Sequence, residues 1–253
     1  MEGTSPLFIG VSTKAYLGYA TTVSWLRSLR EALLARPELD DVRIQPFVAP
    51  SAPLLLEARG ILAGTSCWVG AQDGQWQSGP ATGAVSMSLL AELGMDFVEL
   101  GHAERQRVFN ETLEETGRKA TAAAAAGLRL LFCVGEPDRT TAGAAAEQCV
   151  GQVVAALSGI PLGAVMLAYE PWWAIGADRP AEADYVNDVL SGVRERLHEE
   201  FGQVPLAILY GGSAGPGTLA PLSEADGLFL GRFAHDPTNY ARVLDEAIAR
   251  QSG

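Results

Sequence analysis

The chain is 253 residues long, 48% hydrophobic and 19% charged, a composition with ample material for a core and no call for disorder. Its formal net charge of −12 argues against a nucleic-acid partner, because phosphate-backbone binding needs a positive surface; a small anion would need a local cluster of amides and cations. Residues 1–13 carry no basic segment and only the brief apolar run 7–11, so neither a secretory signal nor a membrane span is expected, and the chain reads as cytoplasmic with no membrane partner.

In chain order, short β-branched or apolar runs alternate with helical patterns. Strands are predicted at 7–11, 42–48, 67–71, 97–100, 128–134, 165–169, 206–210 and 228–230. Between them, Leu26, Leu29 and Leu33 fall at helical spacing, and 53–62 and 87–93 read as helices. The alanine-rich segments 110–125 and 142–157 read as helices of low side-chain entropy cost. After the sixth strand Val186, Val189, Leu190, Val193, Leu197 and Phe201 form one stripe, and Tyr240, Val243, Leu244 and Ile248 line a closing helix. Eight such units in about 250 residues predict an α/β fold, a closed (β/α)8 barrel forming a single domain over 1–253 with no linker or insert. Cys67, Cys133 and Cys149 lack metal-ligand spacing and are odd in number, so buried reduced thiols are expected, with no disulfide and no metal. Cys133, with nothing electropositive beside it in sequence, reads as packing.

A barrel of this kind holds its chemistry at the C-terminal ends of its strands. Ser12 and Lys14 follow the first strand, Gln72 the third, Gly101, His102 and Glu104 the fourth, and Glu170 the sixth. Gly211, Gly212 and Ser213 follow the seventh, and Gly231 and Arg232 the eighth. Beyond Glu170, Pro171 stops the strand, Trp172 and Trp173 follow, and Ala174, Ile175, Gly176 and Ala177 make a small-residue tip before Pro180 starts a helix. That is the layout of a hinged lid over a base, where exclusion of water strengthens every charge interaction. Each residue alone also has a plainer reading: Glu170 a turn acid with the tryptophans in the core, His102 structural, Lys14 solvated, Gly211 and Gly212 an ordinary turn. His198 is expected on a helix surface and His235 in a polar loop.

Taken together these residues resemble the triosephosphate isomerase family. Gly101-His102-Ala103-Glu104-Arg105 looks like its histidine motif, Tyr169-Glu170-Pro171 with Trp173-Ala174-Ile175-Gly176 like its base and lid, and Tyr210-Gly211-Gly212-Ser213 like its phosphate loop. Ala71-Gln72, Cys133-Val134-Gly135-Glu136 and Asp226-Gly227 are further matched points, in order along the chain. The resemblance implies a TIM barrel that isomerises a phosphorylated sugar from aldose to ketose through an enediolate, without metal or cofactor. Glu170 would be the base, His102 would polarise the carbonyl, and Lys14 would supply positive charge to the substrate and its oxyanion. This family is the reference example of a glutamate base paired with a neutral histidine, so that pairing is an implication of the resemblance alone. Glu104 could hold Lys14 or a backbone amide, or take part as a proton shuttle. Gly176, Gly211, Gly212, Ser213 and Gly231 would cradle the phosphate.

Five positions depart from the family pattern. Ser12 replaces the usual Asn, which leaves room near Lys14, and Arg232 replaces a second glycine, where it could grip the phosphate or brace a neighbouring loop. Arg179 and Pro180 replace the Lys and Thr of the lid hinge, restricting its motion at that end. Two substrate lengths stay open: the three-carbon pair glyceraldehyde 3-phosphate and dihydroxyacetone phosphate, or a four-carbon tetrulose phosphate such as L-erythrulose 1-phosphate. A barrel that binds a sugar phosphate without turning it over is a rival that Lys14, His102 and Glu170 together disfavour, and a nucleotide-binding barrel lacks a readable basic or aromatic site. The loop 78–83 looks like the one through which the family dimerises, with Thr82 reaching the partner's site; Ala84 stands where the family has an acid, so a homodimer of uncertain tightness is expected.

Overall fold

The computed structural model describes residues 6–41 and 43–252, and in it eight parallel strands close into a barrel in sequence order. The strands are β1 (Leu7–Ser12), β2 (Ile44–Ala49), β3 (Trp68–Ala71), β4 (Phe97–Leu100), β5 (Arg129–Val134), β6 (Val165–Tyr169), β7 (Ala207–Tyr210) and β8 (Gly227–Leu230). Closure comes from β1, which pairs with β2 on one side and, through Phe8 to Val11, with β8 on the other. The surrounding helices are α1 (Tyr19–Leu34), α2 (Glu38–Asp41), α3 (Leu55–Ile61), α4 (Met87–Glu92), α5 (Ala103–Phe109), α6 (Leu113–Ala125), α7 (Ala142–Leu157), α8 (Ala183–Phe201) and α9 (Pro237–Ser252). The α/β barrel expected from the sequence is therefore the fold. Of the predicted second strand, Val42 lies outside the described residues, as do positions 1–5 of the N-terminal reading. No helix among the described residues is long and apolar enough to cross a membrane.

Each strand is buried on both faces, which is why the strands read as continuous apolar runs rather than alternating ones. Inward residues Phe8, Phe47, Phe97, Leu131, Met166, Leu209 and Phe229 fill the lumen. Phe47 stacks on Phe229 at 6.0 Å between ring centroids and meets Phe97 edge-on at 5.3 Å. A side chain at Gly10 would put its Cβ 1.9 Å from the Phe47 ring, so β1 gives up volume there to let the ring cross the barrel. Outward residues such as Val11, Val48, Val98, Leu130, Leu167 and Ile208 pack with the helix stripes, including Leu26, Leu29, Leu33, Val186, Val189 and Leu190. Each large side chain buried this way is worth roughly 1.5–3 kcal/mol.

Two helix expectations are corrected. The helix expected over 110–125 is present but starts later: Asn110 caps α5 in the left-handed conformation (φ 55°, ψ 30°), and α6 begins after Thr112. There the Thr112 hydroxyl accepts from the Glu115 amide and the Glu115 carboxylate accepts from the Thr112 amide, a capping box that satisfies two of the new helix's free donors. Nor does a helix start at Pro180, since α8 starts at Ala183. The Ala181 amide instead donates to the Tyr210 hydroxyl at 2.8 Å, which ties this segment back to β7 before the helix can begin.

Candidate active site

Glu170 stands one residue past β6, its amide still donating to the Val134 carbonyl of β5 at 2.8 Å. The side chain is buried, and that burial pushes its pKa up to about 7, against the pull of Lys14 and of the Cys133 thiol that donates to it. A carboxylate so tuned is poised to exchange a proton near neutrality. Cys133 therefore does more than pack, although its own pKa is driven well up by burial and by Glu170, so it is no nucleophile. Gly211 is required opposite this carboxylate, because a Cβ there would lie 2.5 Å from Glu170 Cγ.

Gly101, at φ +76°, turns the chain out of β4 and sets His102 as the N-cap of α5. The Glu104 amide donates to His102 Nδ1 at 3.0 Å. A nitrogen that accepts carries no proton, so the neutral ring bears its hydrogen on Nε2, which lies 3.2 Å from Glu170 Oε2. Burial first, then the Lys14 and Arg107 charges, lower the His102 pKa to about 3, and the positive end of α5 acts in the same sense. The imidazole is thus a neutral donor aimed into the site. Lys14 Nζ donates to Glu104 Oε1 at 2.8 Å, so of the roles open to Glu104 the structure shows that of holding the lysine. Burial opposes the lysine's charge, yet Glu170, Glu104 and Glu99 outweigh it and raise its pKa. Its backbone sits at φ +48°, a left-handed conformation that costs roughly 1–2 kcal/mol in a non-glycine residue. The Ser51 hydroxyl and the Gln72 amide, donating to the Lys14 carbonyl at 2.8 Å and 3.2 Å, hold it there.

Beside this triad, a cavity of about 570 Å3 is lined by Lys14, Glu170, Gly211, Ser213, Gly231 and Arg232. Gly212 lies between them with its carbonyl accepting from the Tyr210 hydroxyl at 2.5 Å. The segment 171–177, expected as a lid, is docked on these loops. Pro171 leads into a single 3-10 turn, Trp172–Ala174, after which Ile175, Gly176 and Ala177 cover the cavity. Ser213 donates to the Ala174 carbonyl at 2.8 Å, and Arg232 donates to the Gly176 carbonyl at 3.2 Å. Of the two roles open to Arg232 from sequence, the geometry thus shows the brace. Trp173 donates to Glu136 Oε1 at 2.8 Å, an atom that also accepts from the Tyr169 and Tyr185 hydroxyls and so fixes the start of this segment. The Arg107 guanidinium lies 5.9 Å from the Trp172 ring centre. His198 is exposed on α8, while His235, expected in a polar loop, is half-buried against Tyr16 at 5.4 Å. Thr82 is exposed in the loop between β3 and α4.

One site residue escaped the sequence reading. Glu99 is an inward position of β4, 3% exposed, and lines a second cavity of about 700 Å3 with Ser12, Lys14, His102 and Glu104. Burial and the Glu170 charge push its pKa up to about 8, while Lys14 and the Ser12 hydroxyl pull the other way. The signal was available: a lone carboxylate two places after an inward Phe97 in a four-residue strand of otherwise apolar residues.

A closed parallel barrel with an acid, a neutral imidazole and a lysine at one mouth has the make-up of a proton-transferring (β/α)8 enzyme. A triosephosphate isomerase family model matches residues 7–247. The chain is 41% identical to an L-erythrulose-1-phosphate isomerase of Pectobacterium atrosepticum, covering 97% of each chain, and 38% identical to one of Rhizobium etli over 94% of this chain and 91% of that one. It is 35% identical to a triosephosphate isomerase of Synechococcus sp. over 95% of this chain and 96% of that one. The crystal structure of triosephosphate isomerase from Bartonella henselae superposes with a TM-score of 0.80 at 26% identity, over 96% of this chain and 99% of that one. The chain belongs to the triosephosphate isomerase family and is an enzyme of the aldose–ketose isomerase type.

Proposed function

We propose that the protein interconverts phosphorylated short-chain sugars through an enediolate, with the phosphate seated against Gly211, Gly212, Ser213 and Gly231. Glu170 takes a proton from the carbon beside the carbonyl, and the oxygen that gains charge is met by the Nε2 hydrogen of His102 and by Lys14. Glu170 then returns the proton to the neighbouring carbon while the hydroxyl proton passes from one oxygen to the other, so no co-reactant is consumed. A positioned base contributes about 10²- to 10⁴-fold and a preorganised donor at the oxyanion about 10²- to 10³-fold. The observation that carries this reading is the 3.2 Å approach of His102 Nε2 to Glu170 Oε2 under a lid latched by Ser213. Replacing Glu170→Gln tests it: turnover should fall at least a hundredfold while a sugar phosphate still protects the fold against heat. Unchanged function would support the non-catalytic binding barrel instead.

Both substrate lengths fit this chemistry. The three-carbon pair is supported by the complete Lys14, His102 and Glu170 set, and the four-carbon substrate by the short Ser12 side chain and by the relatives named for L-erythrulose 1-phosphate. We favour the four-carbon ketose phosphate, and steady-state kinetics on both substrates decide it: a strong preference for the three-carbon pair discards the longer one. The same reading has the chain as one cytoplasmic domain, dimeric through the loop around Thr82. Sedimentation at several concentrations checks the dimer, and a purely monomeric species removes it.

A further inference from the structure

Glu99 Oε2 is buried and has no hydrogen-bond partner among the described residues, in a residue only 3% exposed. A lone buried acceptor in a site is costly unless something arrives to pair with it. Its position says where that something would come from. The loops assigned to the phosphate, Gly211, Ser213 and Gly231, line only the 570 Å3 cavity, whereas Glu99 and His102 line only the 700 Å3 one. Ser12, Lys14 and Glu104 line both and form the wall they share. A substrate with its phosphate in the first cavity and its reacting carbons at Glu170, His102 and Lys14 therefore points its far end toward Ser12 and Glu99. In L-erythrulose 1-phosphate the phosphate is on C1, the carbonyl at C2 and the removable proton on C3. Transfer of the carbon-bound proton from C3 to C2, and of the hydroxyl proton from O3 to O2, carries the carbonyl to C3, and C4 projects beyond the reacting pair as a hydroxymethyl group that the three-carbon substrates lack.

We propose that Ser12 and Glu99 form a subsite for this terminal hydroxymethyl group, Ser12 by the volume it leaves free and Glu99 by accepting the hydroxyl hydrogen bond through Oε2. The inference rests on the isomerase reading above and on its four-carbon substrate. A site built to pair with a hydroxyl discriminates against a substrate without one more strongly than an apolar pocket can, because the buried acceptor is then left alone.

The test is kcat/KM of the full-length protein, Glu99→Ile and Glu99→Gln on L-erythrulose 1-phosphate and on dihydroxyacetone phosphate. Isoleucine suits a strand and fills similar volume, and glutamine keeps an acceptor at nearly the same place. The ratio of four-carbon to three-carbon kcat/KM should fall about ten- to a hundredfold in Glu99→Ile, the cost of leaving a buried hydroxyl without its hydrogen bond, and recover to within about threefold of wild type in Glu99→Gln. A ratio that stays within about threefold in Glu99→Ile, with both activities kept or both lost together, overturns the subsite and leaves the isomerase reading standing. A wild-type protein that turns over dihydroxyacetone phosphate but not L-erythrulose 1-phosphate overturns the four-carbon reading and the subsite with it.

Discussion

Glu99 also makes a stability prediction that needs no substrate. An acid whose pKa rises from 4.5 unfolded to about 8 folded binds its proton more tightly in the native state. Below pH 4.5 both states are protonated and there is no penalty; as pH rises toward 8 the unfolded chain ionises first and native stability is progressively lost, the full cost being reached above pH 8. Integrating between those limits gives a cost of about 1 kcal/mol at pH 5 and nearly 5 kcal/mol at pH 9. Glu99→Gln removes the ionisation, so its stability relative to wild type should improve by about 4 kcal/mol on going from pH 5 to pH 9. Urea unfolding at one fixed protein concentration at the two pH values measures this, the fixed concentration removing any contribution from subunit association. A difference between variant and wild type that is the same at both pH values would refute the claim that burial of this carboxylate outweighs the pull of Lys14 and Ser12 on it.

Two further outcomes follow from the geometry. If Glu170 is the base proposed above, it must be ionised to act, and with its pKa about 7 kcat/KM should decline tenfold per pH unit below about 7, with no inflection near 6.5 from His102, which stays neutral down to about 3; a midpoint near 4.5 would show that this carboxylate is not desolvated in the free enzyme. Gly211→Ala places a methyl carbon 2.5 Å from Glu170 Cγ and should displace the base by about an ångström, costing on the order of a hundredfold in kcat/KM, and wild-type kinetics in that variant would mean the base tolerates relocation.

The barrel was legible because strands buried on both faces leave unbroken apolar runs and the helices between them leave 3.6-residue stripes, both local records. Boundaries were less so. The break at Asn110 rests on a left-handed residue and a Thr112–Glu115 capping box whose sequence signature lay inside a run of good helix formers, and the start of α8 was delayed by a hydrogen bond from Ala181 to Tyr210 on another strand. Among the site residues, Lys14, His102 and Glu170 could be named from their places at strand ends, but Glu99 was hidden among apolar neighbours in a strand, where a carboxylate gives no sign of the space it faces.

What the sequence determined by itself is the set of local commitments: which segments are strand or helix, which acid, imidazole and amine fall at the mouth, and where a lid begins. Only the tertiary structure decided how those groups meet. The proton on His102 Nε2 follows from an amide at the start of α5, the duty of Glu104 from a lysine 90 positions away, the brace of Arg232 from a carbonyl 56 positions away, and the free oxygen of Glu99 from closure of β4 into the barrel. Propensity and periodicity act over a few residues, whereas hydrogen bonds and desolvation depend on distance in space, which chain order does not record.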